Sequence, residues 1–164
     1  MAAKVTGGQR IGKVLASIGN KLAARQVRVG FLESAKYPPT RERGTTPNRH
    51  TVPNTVDSVA QVAFWNEFGT SRAPPRPFFR TMIAQNSPGW GKLTAVALKA
   101  TNYDETAALG AVGEAIAGEL RVSITAGGWQ ANSAYTIRMK NGATQPLVDS
   151  GVMLGYVAYE VKGP

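Results

Sequence analysis

Ile11, Val14, Leu15, Ile18 and Leu22 recur at intervals of three and four residues, which places them on one stripe of a helix from about Gln9 to Ala24. Lys13, Lys21 and Arg25 fall off that stripe. The next stretch, Gln26 to Leu32, alternates polar with apolar and β-branched residues, the pattern of a half-buried strand. Val59, Val62, Ala63, Phe64, Trp65 and Phe68 give a second helix a broad apolar face. It opens near Val56, with Asp57 or Thr55 able to cap it, and it stops at Gly69, a residue suited to the left-handed C-terminal position. The proline-dense turn from Thr70 to Pro77 precedes a helical pattern from Phe78 to Gln85. Asn86 to Trp90, with Pro88 and Gly89 inside it, breaks that pattern, so Lys92 to Lys99 reads as a separate helical segment.

The longest helix is expected from Asp104 to about Thr125, with Asp104 as cap and Glu105 in the first turn, where negative charge suits the helix dipole. Leu109, Val112, Ile116, Leu120 and Ile124 form its buried seam, and Gly110, Gly113 and Gly118 argue for close packing against another backbone. Gly127 and Gly128 end it. Asn132 and Ser133 then cap a short helix to Lys140, Asn141 and Gly142 make a turn, and a turn and short helix fill Pro146 to Leu154. Val157 to Val161 alternates again and reads as a terminal strand. This order implies one α+β domain over residues 1–164: a small antiparallel sheet of the two strands, packed against the long helix and several shorter ones.

Ala35 to Thr55 fits neither period. It holds Pro38, Pro39, Pro47 and Pro53 and is expected to be a long mobile loop or arm, too polar to offset its ordering entropy. Charge sharpens this picture. The net charge is +9, and from Met1 to His50 ten Lys or Arg oppose only Glu33 and Glu42, so almost all of the excess lies in the first third. Such a distribution suits a polyanion or an acidic protein, with Lys13, Lys21, Arg25, Arg41, Arg43 and Arg49 as the candidate contacts. A solvated basic surface is the alternative.

Chemistry is sparse. The chain has no cysteine, and His50, its one histidine, sits in the proline-rich stretch away from any carboxylate cluster. Glu114 and Glu119, five residues apart, do not share a helix face well. No phosphate-binding or dinucleotide-binding glycine motif occurs. We therefore expect no enzyme, no catalytic or metal-ligating residue and no cofactor. The apolar stretches are broken by glycine or charge before they reach bilayer length, and no membrane partner is expected.

Two blocks carry a family resemblance. From Ala63 to Arg80 a helix ends in Asn66, Glu67, Phe68, Gly69 and Thr70, followed by a turn with Arg72, Pro75, Arg76 and Pro77 and then Phe78, Phe79 and Arg80. From Gly127 to Lys140 an Asn and a Ser precede a basic helix, and Pro146 to Met153 follows with Asp149 and Ser150. These blocks resemble the tail-completion or head-to-tail joining proteins of long-tailed bacteriophages; they and their spacing cover roughly half the chain and leave its first fifty residues outside.

The resemblance implies a structural virion protein at the neck, made in the host cytoplasm. Its subunits would form a hexameric ring on the tail tube or its terminator and meet the head connector; contact with genome DNA, non-specific, is expected from the charge of the first third and not from the resemblance. The named residues of the two blocks become its subunit contacts. An internal brace is the alternative for the first block, with Glu67 paired to one of the arginines and Phe78 and Phe79 in the core; Asp149 and Ser150 then only cap a helix. A basic nucleic-acid-binding module is the rival function, although no DNA-reading motif is present. If Ala35 to Thr55 is an assembly element, limited proteolysis should cut there first in the free subunit and much less in assembled particles. Equal cutting in both states would reject it.

Overall fold

The computed structural model describes residues 8–32, 34–36, 58–71, 73–139, 144–148 and 151–163. Along them run α1 (Gly8–Ala23), β1 (Gln26–Phe31), α2 (Val59–Phe68), α3 (Phe78–Ala100), α4 (Glu105–Thr125), α5 (Ala134–Met139), α6 (Val152–Gly155) and β2 (Val157–Lys162). The fold is α+β, as the hydrophobic pattern implies. Lys36 bridges to Ser58, so the chain leaves and re-enters the described structure at one place; the stretch from Ala35 to Thr55, apart from its first two residues, lies outside the described residues.

The centre of the fold is α4. Asp104 caps it, its Oδ1 accepting from the Ala107 N–H at 2.9 Å. Ala108, Val112, Ile116, Leu120 and Ile124 recur every fourth residue and are buried, whereas Leu109 is only half-buried. The turn from Thr101 to Asp104, with Asn102 and Tyr103 at φ of 51° and 63°, sends α3 back along α4. Ser123 Oγ donates to the Phe78 carbonyl at 2.7 Å and Trp90 Nε1 donates to Glu119 Oε2 at 2.9 Å, contacts that fix the pair as antiparallel.

The expected break in α3 does not occur: the helix runs unbroken from Phe78 to Ala100 through Pro88. Proline inside a helix removes one hydrogen bond and costs about 3 kcal/mol. Phe78 and Met82 before it, and Trp90, Leu93 and Ala97 after it, all pack into the common core. Burying several large side chains at about 1.5–3 kcal/mol each outweighs the local penalty.

On the other side of α4 lies the two-stranded antiparallel sheet, with Gln26 opposite Lys162 and Phe31 opposite Val157. Alternation turns Val27 and Tyr159 toward α4, and Arg121 Nη2 ties the helix to the sheet by donating to the Val157 carbonyl at 2.8 Å. Gly113 makes this approach possible, for a Cβ there would lie 2.5 Å from the Tyr159 ring and 3.1 Å from Val27. Close packing was expected at this glycine, and side chains rather than backbone supply it. Gly118, read the same way from sequence, has nothing within 4 Å.

The other helices are smaller. Ser58 occupies the N-cap of α2 without a side-chain cap bond, and the expected caps Asp57 and Thr55 lie outside the described residues. Ser133 caps α5, its Oγ accepting from the Thr136 N–H at 3.2 Å, whereas Asn132 is buried and engaged elsewhere. Lys140 and the turn at Asn141 and Gly142 are outside the described residues. The apolar stripe of α1 forms as expected, but none of its residues is buried.

Gly113→Ala should push Tyr159 and β2 off α4 and destabilise the fold by about 1–3 kcal/mol. Gly118→Ala should instead be neutral or stabilising by up to about 1 kcal/mol. Urea unfolding of both variants checks the pair, and equal effects would reject this account of the helix–sheet contact.

Candidate functional site

At the end of α2 the chain must reverse sharply into the proline-rich turn. Gly69 permits this with φ 79° and ψ 176°, an extended positive-φ geometry and not the left-handed cap expected from sequence. A Cβ at this position would lie 2.9 Å from the Pro75 nitrogen. Thr70 closes the turn from both sides: its N–H donates to the Ala73 carbonyl at 2.8 Å and its Oγ1 accepts from the Ala73 N–H at 3.1 Å.

Helix α3 then starts directly after Pro77, whose ring leaves no side chain able to cap it. Its first amides turn to Glu67 on α2. Glu67 Oε2 accepts from the Phe79 N–H at 2.9 Å, and Oε1 accepts from the Arg80 N–H at 3.2 Å and from Arg80 Nε at 2.8 Å. Glu67 is thus a buried carboxylate at a helix N-terminus, where the dipole favours negative charge, and it is neutralised by Arg80. Arg80 also donates to the Glu67 carbonyl at 3.2 Å and stacks 4.9 Å above the ring of exposed Phe68.

Arg76 faces the opposite way. It is buried, 7% exposed, and among the described residues it meets only neutral acceptors. Nε donates to the Gln130 carbonyl at 3.1 Å and Nη2 to Asn132 Oδ1 at 3.1 Å, with a longer contact of 3.4 Å from Nη1 to Asn66 Oδ1. Its backbone N–H donates to the Asn66 carbonyl at 2.7 Å. Asn132 passes the connection on, donating to the carbonyls of Thr144 and Gln145 at 3.2 and 3.3 Å. Burial lowers the pKa of the Arg76 guanidinium from its ordinary value, yet an arginine stays charged, so these oxygens do the work of solvation.

The candidate residues therefore divide. Asn66, Glu67, Gly69, Thr70, Arg76, Pro77, Phe78, Phe79 and Arg80 form one bracket within the chain, with Phe78 in the core and Phe79 half-buried. Phe68 and Pro75 are exposed beside it. Arg72, Asp149, Ser150, Arg41, Arg43 and Arg49 lie outside the described residues. Lys13 is exposed, but Lys21 and Arg25 stand 3.5 and 3.7 Å from Glu105 Oε1 and have an acid within the chain. Sequence reasoning missed Gln130 and Asn132 as partners of Arg76, because no spacing rule links a turn to a loop more than fifty residues on.

Between α2, α3 and the end of β1 lies a shallow apolar recess of about 240 Å³, lined by Phe31, Ala63, Phe64, Phe68 and Phe79 with Arg80 at its edge. Phe64 and Phe68 are 58% and 53% exposed, and their rings lie 4.7 Å apart at its rim. Among the described residues no group of His, Cys, Asp and Glu could hold a metal ion, and no helix is long and apolar enough to cross a membrane. Comparison with models of known families, with curated proteins and with solved structures finds no match to this chain.

Glu67→Ala should destabilise the fold by about 2–3 kcal/mol, since it strips two part-buried helix amides of their acceptor and removes the cap of α3. Arg80→Ala should cost less than Glu67→Ala, because the two amides still hold the carboxylate and water can reach the place of a side chain that is 58% exposed. Arg76→Ala should fall nearer to Glu67→Ala, because buried oxygens lose their donor. Chemical unfolding of the three variants orders them, and an Arg80→Ala loss exceeding that of Glu67→Ala would contradict the cap.

Proposed function

We propose that this chain is a structural subunit of a long-tailed bacteriophage virion, a ring component that completes the tail and joins it to the head connector. The observation that carries the reading is the meeting of the two motif blocks. They are separated in the chain by α3 and α4, yet Arg76 of the first block bonds to Gln130 and Asn132, 54 and 56 residues later, in the second. A resemblance spread over two distant blocks thus corresponds to one connected piece of structure.

The chemistry supports a mechanical role. Glu67, Asp104, Glu105, Glu114, Glu119 and Glu160 are each engaged in a cap, an ion pair or a side-chain hydrogen bond that braces the fold. Next to the bracket, Phe64 and Phe68 offer an exposed aromatic patch over an apolar recess, the kind of anchor on which subunit contacts concentrate. In this reading the partners are further copies in a ring, a hexamer by the family resemblance, then the tail tube or its terminator and the head connector. Passing genome DNA would be met through phosphates alone.

The rival reading, a basic nucleic-acid-binding module, draws on the positive first third of the chain. Tight, sequence-selective DNA binding by the isolated protein would favour it. On the virion reading, negative-stain images of the purified chain or of tail ends should show closed rings. Phe68→Ser should abolish those rings while shifting Tm by no more than about 2–4 °C, the equivalent of about 1 kcal/mol for a chain of this size. Rings that persist in Phe68→Ser would remove the aromatic patch from the contact.

A further inference from the structure

Helix α1 has no buried residue, and Ile11, Val14 and Leu15 on its apolar stripe are 63%, 59% and 60% exposed. Among the described residues, ion pairs hold it to the body at its C-terminal end, where Lys21 and Arg25 approach Glu105. The Glu105 carboxyl is held below the usual carboxylate range, first by its own backbone N–H and then by these two cations. Further toward its start the helix stands clear of the other described residues: a Cβ at Gly8, Gly12 or Gly19 would meet nothing within 4 Å. A helix glycine costs about 1 kcal/mol against alanine, and helices shorter than about 12–15 residues are marginal in water even when alanine-rich. With only 16 residues and these glycines, α1 gains most if something covers it.

The order of residues around α1 restricts what that is. One sector carries Ile11, Val14, Leu15, Ile18 and Leu22; beside it Gly8, Gly12, Ala16, Gly19 and Ala23 make a lane of small residues; Arg10, Lys13 and Lys21 occupy the remainder, with no acid anywhere in the helix. A partner must therefore be apolar and anionic together. The small lane lets a second backbone come close, which helps packing against protein and brings nothing in lipid. The apolar sector also lacks the aromatic residues that hold helices at a bilayer surface.

Charge argues against a second copy of this chain as the occupant. All six described acids are engaged within the fold, and the stretch 37–57 sets Arg41, Arg43 and Arg49 against Glu42 and Asp57. With 19 Lys or Arg against 10 acids another copy is net basic, and so is that stretch, so neither matches the charge of α1. We infer that α1 is a docking helix for a different protein, one presenting an apolar groove bordered by carboxylates. This stands whether or not the chain belongs to a virion.

Calcium-loaded calmodulin, which offers an apolar groove in an acidic setting, is a defined probe of this chemistry and can be titrated against the full chain. A one-to-one complex is expected, with slowed amide exchange in α1. Burial of one leucine is worth about 1.5–3 kcal/mol, so Leu15→Asp should weaken the complex about tenfold or more. The double variant Arg10→Glu with Lys13→Glu should weaken it comparably, and Phe68→Ser should leave it unchanged. None of these α1 side chains is buried, so the variants should keep the parent melting temperature.

No complex, or one indifferent to Leu15→Asp, would overturn the inference. So would binding to phosphatidylglycerol vesicles that is tighter than binding to the probe, which would assign α1 to a membrane surface. Self-association lost on Leu15→Asp would assign it to a second copy. Ring formation is read separately through Phe68, so this inference and the virion reading can fail independently.

Discussion

Helix α3 begins immediately after a proline, and the amides of its first turn find their acceptor on another helix. Glu67 supplies both carboxylate oxygens from the last turn of α2, so the corner between the two helices is set by hydrogen bonds to a charge. The direction of α3 follows from that corner, α4 returns along α3, and the sheet rests on the far side of α4. Arg80 offsets the cost of burying the carboxylate by pairing with it from the surface. The arrangement is asymmetric. The acid is buried and makes the structural bonds, whereas the base is more than half exposed and contributes mainly as its charge partner.

Arg76 plays a complementary part on the other side of Pro77. Its guanidinium is spread over oxygens from Gln130, Asn132 and Asn66, and the planar fork of donors suits a site where acceptors arrive from several directions. The two charged residues of the motif, nine positions apart, are therefore not partners. Glu67 fixes the start of α3, and Arg76 fixes the loop after α4 to the end of α2. Together they hold a rigid corner beside the aromatic recess, which leaves the exposed rings of Phe64 and Phe68 on a firm base.

Local periodicity made much of the fold legible. The four-residue recurrence from Val112 to Ile124, the cap at Asp104 and the alternation of both strands correspond to α4, β1 and β2. Pro88 misled because its penalty is local and visible, while the packing that overcomes it comes from residues of α4 that no window around Pro88 contains. The pairing of Glu67 with an arginine was one of two readings open in the motif, and its role as cap to α3 was not visible, because Pro77 hides the absence of an ordinary cap. Asn132 looked like a helix cap because Asn beside Ser usually is one; only the folded chain brings Arg76 to it. In α1 the stripe was plain, and its lack of cover was not, since amphipathicity states what a helix wants and not what it has.

One topological fact bears on how such a chain is made. Among the described residues the sheet consists of β1 and β2, and Gln26 is opposite Lys162, so most of the described chain after α1 lies between the two strands. During translation β1 emerges early and has no partner until β2 leaves the ribosome. Until then the apolar sides of Val27, Val29 and Phe31 and the strand's open edge are exposed to other nascent chains. The helical pair α3 and α4 can assemble in that interval from contacts between neighbours in the chain. Closure of the sheet is the slow, long-range step. Each copy under synthesis thus carries an unpaired β1 for as long as the chain up to β2 takes to be made.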